Sequence, residues 1–98
     1  MHITELEPLR KKVIVLRGNT STRDIAAFVE ELVERANTPA MAQSACDRVI
    51  SMCNPKAWGD RLVEGFGDDF LAWQSFLGEL SDLAKQCGQA IYDNRHRA

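Results

Sequence analysis

Residues 70–91 read FLAWQSFLGELSDLAKQCGQAI. Within them Phe70, Trp73, Leu77, Leu80, Ala84, Cys87 and Ile91 recur at alternating spacings of three and four. An α-helix gathers positions so spaced on one side. Phe76, Leu83 and Ala90 return every seven residues beside that seam and widen the apolar stripe. Two apolar positions in seven make an isolated coiled coil, whereas three in seven suit a helix buried in a bundle. The spacing predicts a long helix over about 68–93, central to the fold, with Asp68 or Asp69 capping its start. Beyond it, Tyr92 to Ala98 reads as a polar tail.

Upstream of this helix the chain is punctuated by breaks. Gly65-Phe66-Gly67 ends a short expected helix that begins at Asn54-Pro55, runs to about Glu64 and buries Trp58, Leu62 and Val63. Proline at the first helical position after a capping residue is a favoured start, because its missing N–H has no intrahelical partner anyway. Thr38-Pro39 repeats that signal. Met41, Ala42, Ala45, Cys46, Val49, Ile50 and Cys53 then form paired apolar positions, with small side chains at 42 and 45 that permit close helix approach. Before it, Ile25, Phe28, Val29, Leu32, Val33 and Ala36 mark a helix starting at Ser21 or Thr22, with Glu30, Glu31, Glu34 and Arg35 on its other side.

The segment from Thr4 to Arg17 has two readings. Leu6, Leu9, Val13 and Leu16 line one helical face, and Thr4 with Glu7 resembles a capping box, although Pro8 then falls late in the first turn. The rival is a strand over Lys12–Leu16, rich in β-branched residues. A strand needs a partner and no second one is evident, so helix is favoured.

Length and composition bound the function. Ninety-eight residues, 45% apolar and 27% charged, make one globular domain over 1–98 rather than a disordered chain. The net charge of −2 argues against a nucleic-acid binder, whose footprint is a basic excess. Charge is nonetheless segregated: residues 1–23 balance at +3 and residues 24–36 at −3. Mutual solvation of two neighbouring surfaces is the simplest account. No apolar run reaches the roughly 18 residues that a membrane span needs, and Val13–Leu16 is too short for a secretory signal core. The expectation is a cytoplasmic chain. Its three cysteines sit in helical apolar patterns. Cys46 and Cys53, about 10 Å apart along one helix, cannot bridge, so the thiols are read as small buried hydrophobes.

Groups for catalysis are sparse. His2 and His96 lie within three residues of the termini, which are poor places for a positioned base or ligand. No Cys-x-x-Cys pair offers zinc spacing. Asp60, Glu64, Asp68 and Asp69 cluster around the glycines, but without the ligand pattern of a calcium loop. Gly65 and Gly67 lack the lysine and strand of a phosphate loop. The expectation is therefore no enzyme, no cofactor and no metal.

Taken together, the residues predict an all-α, compact bundle of four to five helices. Its expected function is that of a small protein-interaction module (a regulator, inhibitor, immunity-type or adaptor protein) with a protein partner. The wide apolar stripes also suggest self-association into a homodimer. Trp58 reads first as core. If exposed, it would anchor a partner together with Phe66, Asp60 and Glu64. The alternative is a helix-turn-helix-like DNA-binding regulator, because Ser21–Ala27 resembles such a motif's opening. Its second helix, however, would present Pro39, Ala40, Met41, Ala42 and Gln43 where base-reading polar side chains belong.

Overall fold

The computed structural model describes residues 3–54, 57–58 and 70–95. All regular structure among them is helical: α1 (Glu7–Val13), α2 (Arg23–Arg35), α3 (Pro39–Met52) and α4 (Phe70–Arg95). Short 3₁₀ turns over Thr4–Leu6 and Ile14–Gly18 flank α1. Contacts run α1 on α2, α2 on α3, α3 on α4 and α4 back on α1, so the four helices close a ring around one core. The 26-residue α4 spans about 39 Å and accounts for most of the 48 Å long axis of the molecule.

The N-terminal segment is helical, and its β-branched residues explain its irregularity. Leu6, Leu9, Val13 and Leu16 are all fully buried, as the three-and-four spacing requires. Ile14 and Val15 point outward, in the stretch where the helix tightens to 3₁₀ geometry. The expected capping box is absent in that form: Leu6, not Thr4, is the N-cap of α1. This places Pro8 within the first two helical positions, where its ring is tolerated. Glu7 turns instead to Arg10, whose Nη2 lies 2.9 Å from its carboxylate.

Thr22 ties this segment to α2. It stands at the N-cap, yet its hydroxyl makes no cap bond. Instead Oγ1 donates to the Leu16 carbonyl at 2.9 Å, in a fully buried setting. Glu30 on α2 receives Arg17 at 2.6 Å, and Lys12 reaches Glu79 on α4 at 3.2 Å. The basic N-terminal segment therefore spends cations on carboxylates of adjacent helices, the neutralisation its charge pattern suggested.

At the start of α3, the Thr38 hydroxyl accepts the Met41 N–H at 3.2 Å with Pro39 in the first turn, as read from the sequence. Removing that cap in Thr38→Ala is expected to cost about 1 kcal/mol. Urea unfolding followed by circular dichroism measures it, and an unchanged midpoint would refute the cap's role.

Ala42, Ala45, Cys46 and Val49 are buried under α3, and Trp73, Leu77, Leu80, Ala84, Cys87 and Ile91 under α4. The stripe beside the α4 seam fades along the helix: Phe76 is buried, Leu83 is half-buried and Ala90 is exposed. The helix runs past the expected boundary to Arg95. There Gln89 donates to Asp93, and Arg95 reaches Gln43 on α3, giving the last turn side-chain partners that a frayed tail lacks. The short helix expected up to Glu64 and the Asp68 and Asp69 caps lie outside the described residues.

Candidate interaction groove

The α3–α4 pair is the most extensive helix contact in the fold, and small residues make it so. A Cβ added at Gly88 would stand 3.6 Å from the Cys46 Cβ, ordinary van der Waals contact, so the two backbones approach closely. This pairing also fixes the antiparallel register, with residue 46 facing residue 88. Above the contact, side chains of the two helices border an open groove of about 480 Å³. Cys46, Ile50, Ala84 and Gly88 form its apolar part. Gln43 and Asp47 edge it on α3, and Lys85, Gln89 and Tyr92 edge it on α4. Tyr92 is 50% exposed at one end.

Burial favours the protonated form of the thiols here. Burial pushes Cys46 up to about 12, with Cys87 and Asp47 adding in the same direction. Burial alone raises Cys53 to about 11, and burial also lifts Cys87. Only the thiolate attacks, and these environments oppose its formation. Cys46 and Cys87 are therefore expected to resist iodoacetamide in the folded chain at pH 8 and to react fully in urea. Rapid alkylation without denaturant would contradict their burial. Because the folded state holds the Cys46 proton more tightly than an ordinary thiol of 9.0, stability is fully present below pH 9 and falls as pH rises towards 12. Denaturant titrations across that window should show the decline.

Of the residues expected to anchor a partner, Trp58 is only 4% exposed. Its ring meets Phe28 edge-on with centroids 5.5 Å apart, and its carbonyl accepts the Trp73 indole N–H at 2.8 Å. It is a core residue joining α2 to α4, so it offers no exposed ring for a partner. Asp60, Glu64 and Phe66 lie outside the described residues. The sequence had no means to single out the α3–α4 groove, because Gln43, Asp47, Lys85 and Gln89 are ordinary surface residues until two helices set them on facing banks.

Between α2 and α3, Arg48 lies over the Phe28 ring at 5.6 Å, about two turns from the corner on both helices. Among the described residues, no group of three or more His, Cys, Asp or Glu side chains is arranged to hold a metal ion. No helix there is long and apolar enough to cross a membrane. The chain matches no family model, no curated protein and no solved structure.

Proposed function

We propose that this protein is a non-enzymatic interaction module that receives a protein partner in the α3–α4 groove. The observation that carries the reading is the lining of that groove: half-buried Ile50 and Gly88 lie over buried Cys46 and Ala84 and are edged by charged and amide side chains and by Tyr92. An apolar centre with a polar rim is the anatomy of a protein interface, and tyrosine is among the residues enriched there. Burial holds the Cys46 proton more tightly than an ordinary thiol does, which disfavours a thiolate in the groove. Small residues at its base let a partner helix approach closely.

The test is affinity purification of the tagged chain beside Gly88→Arg, which fills the groove, and Glu34→Arg on the exposed side of α2. A stoichiometric partner should be recovered with the parent chain and with Glu34→Arg and be lost with Gly88→Arg. Circular dichroism must first show that all three are folded. The same proteins recovered from all three would overturn the groove as the docking site.

A further inference from the structure

We infer that the occupant of the α3–α4 groove is a second copy of this chain, packed about a two-fold axis that runs parallel to the groove. The inference rests on the proposed docking role and adds the partner's identity and orientation. Its basis is the way charge and amides are divided between the two banks. The α3 bank offers Gln43 and Asp47, and the α4 bank offers Lys85 and Gln89. With Cys46 facing Gly88 across an antiparallel pair, residue numbers on facing levels add to about 134. Asp47 and Lys85 therefore stand near the same height, as do Gln43 and Gln89, each pair about two residues' rise (about 3 Å) from that register.

Two copies that meet face to face can be related by a dyad along the groove or across it. A dyad along the groove preserves height and exchanges banks. It lays each α3 on the partner's α4, antiparallel and in the register already used inside the chain. Asp47 then faces Lys85 of the partner copy, Gln43 faces Gln89, and both pairs occur twice by symmetry. A dyad across the groove would instead set α3 on α3 and α4 on α4, so neither charge meets its opposite, and when centred at their level it brings Asp47 towards Asp47 and Lys85 towards Lys85. Like charges so placed repel, so the charge pattern selects the first arrangement. A partner carrying one sign of charge suits neither bank as well, since one bank is acidic and the other basic. Gly88 and Ala84 at the base allow the facing helices to settle, and Ile50 and Tyr92 supply apolar area to cover.

Sedimentation velocity from low micromolar to several hundred micromolar tests the proposal. The parent chain should dimerise, with weaker association at 0.5 M salt because the charge pairs are screened. Lys85→Glu and Asp47→Lys, both at exposed positions, should each weaken dimerisation at least about tenfold. The double reversal Asp47→Lys/Lys85→Glu should restore it, which a merely damaged fold would not do. A parent chain that stays monomeric throughout, or a dimer indifferent to both single reversals, would overturn the proposal. The groove reading itself would survive a monomeric parent if Gly88→Arg still released a different protein, so the two ideas fail separately.

Discussion

Trp73→Ala is expected to destabilise the chain by about 3–5 kcal/mol, the cost of removing a large aromatic side chain from a close-packed core. Trp73 is 1% exposed, stacks on Phe76 with centroids 5.7 Å apart, and donates its indole N–H to the Trp58 carbonyl. The substitution empties a cavity where α4 meets the Phe28–Trp58 pair, and it removes the indole donor to the Trp58 carbonyl. A domain of this size has about 5–15 kcal/mol of stability in all, so the variant stands at the edge of unfolding at 25 °C. Trp73→Phe separates the two contributions. It keeps most of the ring volume but removes the donor, and a lost intramolecular hydrogen bond costs about 0.5–1.5 kcal/mol. Urea midpoints of the two variants should differ clearly. If Trp73→Phe matched the parent, the indole bond to Trp58 would carry no stability.

Thr22→Val is the second large effect. The two side chains are close in shape, so packing is nearly conserved and the lost group is the hydroxyl. In the folded chain that hydroxyl bonds the Leu16 carbonyl inside the core. The Asn19 N–H also reaches that carbonyl, at 3.4 Å, which is long for a hydrogen bond. The expected loss is about 1–3 kcal/mol, and each kcal/mol lowers the melting temperature by roughly 4–8 °C in a domain of this size. A neutral helix-capping position would give only a few tenths. Thermal unfolding of Thr22→Val beside Thr22→Ser distinguishes them, since serine keeps the donor and should recover most of the difference.

Both effects concern bonds that reach beyond a single helical turn, six residues back for Thr22 and fifteen for Trp73, and this marks the boundary of what the sequence could tell. Helical content was legible throughout the described residues. Spacings of three and four at Leu6–Leu16, Ile25–Val33, Ala42–Val49 and Trp73–Ile91 are local properties, and burial follows them at most positions, although Phe28 and Leu32 are half-buried and Met41, expected in the α3 stripe, is exposed. The Thr38-Pro39 start was equally local, because a capping hydroxyl needs a partner only three residues on. The N-terminal ambiguity between helix and strand also resolved on local grounds, through the buried positions of that same spacing.

The capping box at Thr4 failed for a different reason. Glu7 had a competing partner in Arg10, and the pattern of residue types cannot say which bond wins. The role of Thr22 was hidden likewise: its residue type announces a cap, while the Leu16 carbonyl that actually receives it is supplied by the turn before α2. Trp58 illustrates the limit most clearly. Its flanking breaks left both core and surface open, and only Phe28 and Trp73, 30 and 15 residues away, decide that it is buried.

Periodicity along the chain, then, determined that the described segments coil into amphipathic helices and which side each turns inward, because that pattern depends on neighbours one turn away. Tertiary structure alone decided which helices are adjacent, how close α3 and α4 come at Gly88 and Cys46, and that Asp47 and Lys85 face each other across a groove. Those are relations between residues tens of positions apart, set by how four stripes pack together.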